Sequence, residues 1–135
     1  MALKTPVKQM VQDAEASIKT IPVLDAIGLL ESDDHVIVDL RDVSELDHDG
    51  MVPDAFNAPR GMIEFWVDPE SPYHKEIFAS GKTFVFYCRS GWRSALSTKT
   101  VQDMGLDNVC HIHGGVTAWK EVEGPVVDRP KKKKD

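Results

Sequence analysis

The sequence predicts an α/β domain whose mostly parallel sheet is covered by helices on both faces. Three observations lead there. Segments with helical apolar spacing alternate along the chain with short apolar runs. Those runs, HVIVDL, KTFVFYC and NVCHI, are almost continuously apolar rather than alternating, as in strands buried on both sides. The chain has 135 residues, which suits one domain with one core.

The elements follow in order. In residues 6–18, Val7, Met10, Val11, Ala14 and Ile18 recur at three- and four-residue spacing, which predicts a helix with Pro6 near its start. TIPV (20–23) is a short strand or a turn, and VLDAIGLLE (23–31) resumes a helical pattern that SDD breaks. HVIVDL (35–40) is a buried strand running into Asp39 and Arg41. Residues 44–61 are rich in turn formers and predict a long loop. MIEFW is a short helix or a lining segment, and VDPESPYHKE a polar loop. KTFVFYC (82–88) is the second buried strand. SALSTKTVQDMG is a helix with Leu96, Thr100, Val101 and Met104 on one face, stopped by Gly105. NVCHI (108–112) is the third strand, and VTAWKEV after Gly114–Gly115 opens a last helix. The organisation expected is an N-terminal helix over 1–17, one domain over 18–125 and a disordered basic tail over 126–135.

Composition narrows the function classes. Hydrophobic residues make up 41% and charged residues 28%, as in a globular domain. The net charge is −6 although the last seven residues, RPKKKKD, carry five positive charges and one negative. The body is thus more acidic than the whole, which argues against nucleic-acid binding. No apolar stretch is long enough to span a bilayer, and no apolar leader opens the chain, so a cytoplasmic protein without membrane contact is expected. The two cysteines, Cys88 and Cys110, form neither a CxxC pair nor a zinc spacing.

FVFYCRSGWRSALS (84–97) concentrates the chemistry. In a parallel α/β sheet, ligands bind beyond the carboxyl ends of the strands, and both Cys88 and Asp39 sit at such ends. Past Cys88, the loop enters a helix whose first amides point back at the sulfur. Arg89 and Arg93 add two permanent positive charges. Gly91 lets the loop curl so that its N–H groups converge as an anion nest. All three favour the thiolate, the attacking form of cysteine. A buried cysteine by itself is as a rule inert packing. A cysteine, two arginines, a serine and a glycine within six residues at a strand-to-helix junction favour a nucleophile instead.

CRSGWRS resembles the active-site loop of single-domain rhodaneses, a sulfurtransferase family. Three further segments carry the resemblance. VIVDLRDVSEL (36–46) is similar to the family's first core strand with its Asp-x-Arg signature. GMVPDAFNAP (50–59) is similar to its Gly-His-Ile-x-Gly-Ala-x-Asn-x-Pro segment, with Met51 in place of His and Asp54 in place of Gly. GLDNVCHIHGGVTAW (105–119) is similar to the segment that follows the catalytic helix. The resemblance spans residues 18–121 and implies a rhodanese-like three-layer fold with a five-stranded parallel sheet. It also implies a reaction. Cys88 takes a sulfane sulfur from a small anion such as thiosulfate, holds it as a persulfide, and passes it to cyanide, a small thiol or a protein thiol. Arg89, Ser90, Gly91, Trp92 and Arg93 form the binding loop, with Asp39, Arg41 and Ser94 in support. Neither a metal nor an organic cofactor is implied.

Two alternatives compete. Cysteine phosphatases and arsenate reductases also seat a cysteine in an amide cradle closed by arginine. Their tetrahedral oxyanion needs one residue more than the four, Arg89 to Trp92, that intervene here. A non-catalytic binding module of the same fold is the other, although such modules as a rule lose the cysteine. Trp92 walls the sulfur pocket or faces a partner. Phe65 and Trp66 are core residues or line the pocket mouth. Cys110 is packed inside its strand, resolves a Cys88 persulfide or forms a disulfide with Cys88, and His111 and His113 are weighed as metal ligands without a third. The segment 60–78 is longer than a minimal connection and is a candidate for shaping acceptor access.

Overall fold

The computed structural model describes residues 1–130. The Lys131–Lys134 run therefore lies outside the described residues. Five strands form one parallel sheet: β1 (Thr20–Ile21), β2 (His35–Asp39), β3 (Phe56–Asn57), β4 (Thr83–Tyr87) and β5 (Val109–Ile112), in the spatial order β1-β5-β4-β2-β3. Among the described residues six α-helices connect and cover them: α1 (Val7–Glu15), α2 (Val23–Ile27), α3 (Val43–Asp49), α4 (Ile63–Val67), α5 (Trp92–Met104) and α6 (Gly115–Glu121).

Strand alternation sorts the side chains into two cores. Ile37, Val85, Tyr87, Cys110 and Ile112 pack on one face with Ala26 of α2 and with Val116 and Trp119 of α6. Val38, Phe84, Phe86 and Val109 pack on the other with Ile63 and Val67 of α4 and Val101 of α5. The continuous apolar runs of β2, β4 and β5 thus feed both faces. α1 lies over α5, where Val11 and Ala14 meet Ala95.

Three expectations change. The loop expected from residue 44 begins with α3, because Asp42 and Glu45 form a capping box that satisfies the first amides of that helix. α5 buries Ser94, Ala95, Ser97, Thr98 and Val101, while Met104 is exposed. That face is rich in small residues because it lies between the sheet and α1 and needs close approach. Residues 126–130, expected within a disordered tail, are tied to the body. Met51 and Val127 exchange backbone hydrogen bonds of 2.8 Å each, and Arg129 pairs with Asp47 at 2.7 Å.

Candidate active site

β2 and β4 are neighbours in register, with Asp39 opposite Tyr87. Cys88 follows Tyr87, so the thiol and the Asp-x-Arg segment emerge side by side at the carboxyl edge of the sheet. The loop 88–91 then turns into α5. Gly91 holds φ +108° at its corner, in the left-handed region that favours glycine.

The turn brings backbone donors onto the sulfur. The Gly91 N–H donates to Cys88 Sγ at 3.2 Å and the Ser94 N–H at 3.4 Å. Ser94 Oγ lies 3.6 Å from the sulfur. Cys88 itself is 2% exposed, so these donors act in a site sheltered from water. The two arginines separate in role. Arg93 is drawn into a bidentate pair with Glu45, at 2.8 and 2.9 Å, and still raises the positive potential at the thiol. Arg89 and Ser90 are exposed on the loop, and Trp92 is half exposed beside them.

The loop is held from behind by α6. The amides of Val116 and Thr117 donate to the carbonyls of Cys88 and Arg89 at 2.9 and 3.0 Å. Gly115 allows this approach. A Cβ there would collide with the Cys88 carbonyl and lie 2.6 Å from the Arg89 carbonyl oxygen. The Gly-Gly pair is therefore part of the support of the Cys88 loop.

Asp39 and Arg41 form a fully buried bidentate pair, with Arg41 Nε to Asp39 Oδ1 at 3.0 Å and Nη2 to Oδ2 at 2.8 Å. The Tyr87 hydroxyl donates to Asp39 and accepts from the Val52 amide, while Arg41 Nη2 also reaches the Gly50 carbonyl at 2.9 Å. Burial opposes the Arg41 charge, but Asp39 and Tyr87 outweigh it and hold the guanidinium above its ordinary pKa. Burial beside Asp39 raises the Tyr87 phenol, which stays protonated as a donor. Asn57 adds amide donors to the carbonyls of Asp39 and Arg41. The pair braces the strand end next to Cys88.

Other candidates fall elsewhere. Cys110 is buried on the α2–α6 face of the sheet, away from the Ser94 side, and burial pushes its thiol up, which suits packing rather than persulfide resolution. His111 is buried with both ring nitrogens engaged, Nδ1 with Ser94 Oγ at 2.9 Å and Nε2 with Thr20 Oγ1 at 3.1 Å, whereas His113 is exposed. Among the described residues no cluster of three metal-ligating side chains occurs. Trp66 packs against Phe56 at the core's edge, and Phe65 is exposed against Tyr73. Glu45, Tyr87 and the deeper role of His111 were not singled out from the sequence. Only Glu45 left a trace there, as the fourth residue of the Asp-x-x-Glu capping pattern. Among the described residues no helix is long and apolar enough to cross a membrane.

Comparison with known proteins agrees with this fold. A family model described as Rhodanese-like domain matches residues 23–122. A protein named sulfurtransferase from Allochromatium vinosum is 31% identical over 99 residues, covering 73% of this chain and 84% of its own length. The polysulfide-sulfur transferase homodimer of Wolinella succinogenes superposes with a TM-score of 0.68 at 28% identity, covering 90% of this chain and 87% of that one. A protein of unknown function from Rhodopseudomonas palustris, described as a possible tyrosine phosphatase, superposes with a TM-score of 0.90 at 50% identity, covering 94% of this chain and 98% of that one.

Proposed function

The chain belongs to the rhodanese-like domain family, and we propose that it is a sulfurtransferase working through a persulfide on Cys88. One observation carries the reading. The Cys88 sulfur lies under two converging amides at the N-terminus of α5, with Arg93 adding positive potential. Such a cradle stabilises negative charge on a single sulfur, both as the attacking thiolate and as the persulfide anion.

The reaction is a pair of displacements. The Cys88 thiolate attacks the outer sulfur of thiosulfate, an S–S bond forms, and the S–S bond of the donor breaks with its electron pair leaving on sulfite. An acceptor such as cyanide or a thiolate then attacks the outer sulfur of the persulfide and returns Cys88 as thiolate. In this reading the charge of exposed Arg89 draws a dianionic donor and Trp92 flanks it. Each step conserves charge and needs no external oxidant.

The name of the Rhodopseudomonas relative raises a second reading, a phosphatase. The loop speaks against it here. Four residues separate Cys88 from Arg93, and Arg93 is turned into Glu45 rather than over the sulfur as an oxyanion clamp would be. Intact-mass measurement after incubation with thiosulfate separates the readings. The wild type should gain one sulfur, about 32 Da, that cyanide removes as thiocyanate, and Cys88→Ser should gain none. A wild type that stays unmodified by thiosulfate but hydrolyses an aryl phosphate through Cys88 would refute the proposal.

A further inference from the structure

A buried hydrogen-bonded chain runs inward from the nucleophile. Cys88 Sγ lies 3.6 Å from Ser94 Oγ, Ser94 Oγ lies 2.9 Å from His111 Nδ1, and His111 Nε2 lies 3.1 Å from Thr20 Oγ1. Ser94 and His111 are buried, while Thr20 is exposed on the edge strand β1. The chain crosses three elements because β5 lies between β1 and β4, with Thr20 in register with His111 and His111 in register with Phe86. It leaves the thiol on its protein side, apart from the loop that faces solvent.

We propose that His111 is a positioning residue that links the ionisation of Cys88 to solvent at Thr20 by way of Ser94. The inference rests on the sulfur-transfer reading, in which Cys88 must be deprotonated to attack. In the thiol state the S–H donates to Ser94 Oγ, the Ser94 hydroxyl to His111 Nδ1, and the His111 Nε2–H to Thr20 Oγ1. When the thiol ionises, each proton moves one place along. The S–H proton passes to Ser94, the Ser94 proton to Nδ1, the Nε2 proton to Thr20, and the Thr20 proton to water. One proton leaves the sulfur, one reaches solvent, and no imidazolium forms. The result is an Nδ1–H imidazole donating to Ser94 and a Ser94 hydroxyl donating to the thiolate, so the chain ends in the order that stabilises the anion.

The surroundings suit a neutral imidazole. Burial, and secondarily His113, push His111 down to about 4. From the other elements packed against it, Phe86 of β4 brings no charge and α5 brings Ser94. Cys88 faces it only through Ser94. Lys19, before β1, meets it through its backbone, with its carbonyl accepting from the His111 amide. The Gly91 carbonyl, 3.3 Å from Ser94 Oγ, is the one competing acceptor found for that hydroxyl among the described residues.

The test is the pH profile of Cys88 alkylation by iodoacetamide, read peptide by peptide so that Cys110 is not counted, with no sulfur donor present. On the rising limb His111→Phe should slow alkylation about tenfold with the high-pH plateau unchanged, the size of one lost charge-assisted hydrogen bond. Thr20 is bonded to Nε2 in both states, so Thr20→Val should leave the profile near wild type, whereas His111→Gln, whose side-chain amide can still donate to Ser94, should recover most of the rate lost in His111→Phe. A merely structural His111 would not be rescued by the donor alone. A His111→Phe profile that superposes on wild type, or a His111→Gln profile as slow as that of His111→Phe, overturns the inference; if His111→Phe fails to fold, a His111→Gln profile displaced about tenfold from wild type overturns it. Because thiosulfate is absent, a wild type that takes up no sulfur would sink the sulfur-transfer reading and leave this profile standing.

Discussion

Gly115→Ala gives the sharpest test of how the Cys88 loop is held. A Cβ at this position meets backbone rather than a movable side chain. It collides with the Cys88 carbonyl and lies 2.6 Å from the Arg89 carbonyl oxygen and 2.7 Å from the Arg89 carbonyl carbon. Either α6 or the loop must retreat, and retreat breaks the Val116–Cys88 and Thr117–Arg89 hydrogen bonds. Two backbone bonds left unmade cost about 1 kcal/mol or more each. The left-handed conformation, φ +58°, adds about 1 kcal/mol for alanine, so the total is about 3–4 kcal/mol. Gly105→Ala is the control. Gly105 has φ +112°, further from the left-handed well that alanine can reach, yet nothing lies within 4 Å of its Cβ. Urea unfolding of both variants separates contact from strain. Gly115→Ala should lose about 1–2 kcal/mol more than Gly105→Ala, and its Cys88 should alkylate with an altered rate, because the loop that sets the cradle has moved. Equal losses in the two variants would refute the claim that α6 clamps the loop.

Two further predictions concern charge. Glu45 is held at about 2, chiefly by its hydrogen bonds from Arg93. Its folded pKa lies below the unfolded one, so its stabilisation is complete above about pH 4.5 and is lost as pH falls through about 2. The full shift has a ceiling near 3 kcal/mol. Both side chains are partly exposed, at 26% and 35%, and solvent screening reduces the expected loss in Glu45→Gln to about 1 kcal/mol at pH 7. Denaturant titrations from pH 7 to pH 2 should show wild type and variant converging; a gap that stays constant down to pH 2 contradicts the pairing. Asp39→Ala leaves the buried Arg41 charge without its partner and should cost about 3–5 kcal/mol in the same assay, and a loss below 1 kcal/mol would mean that the charge is solvated.

Local chemistry was legible in the sequence. The apolar runs marked β2, β4 and β5 because strands buried on both faces cannot alternate. Gly105 marked the end of α5 and Gly91 the curl of the loop before it, because few other residues take a left-handed corner, although α5 begins at Trp92, two residues ahead of the expected start. The crowding of Cys88, Arg89, Ser90, Gly91 and Arg93 marked the candidate site because a strand-to-helix turn aims its amides inward whatever surrounds it. The resemblance, through four segments in the same order, reached the family and the five-stranded sheet.

The tertiary structure alone decided which distant residues meet. The two-residue strand β3 has no local signal; it exists because Val38 and Asp39 offer Phe56 and Asn57 a free edge. Arg93 was expected at the thiol as a free charge, but the packing of α3 against the turn sets Glu45 beside it. Tyr87 reads as one more aromatic in an apolar run, yet its place opposite Asp39 puts its hydroxyl on the buried carboxylate. His111 joins Thr20 and Ser94 only because the sheet inserts β5 between β1 and β4. The sequence by itself determined the buried strands β2, β4 and β5, the helices α1, α5 and α6 and the chemistry of the loop, since those depend on neighbours a few residues away. Strand order and helix packing determined which distant groups meet, since Glu45 reaches Arg93, and Ser94, His111 and Thr20 reach one another, only in the folded protein.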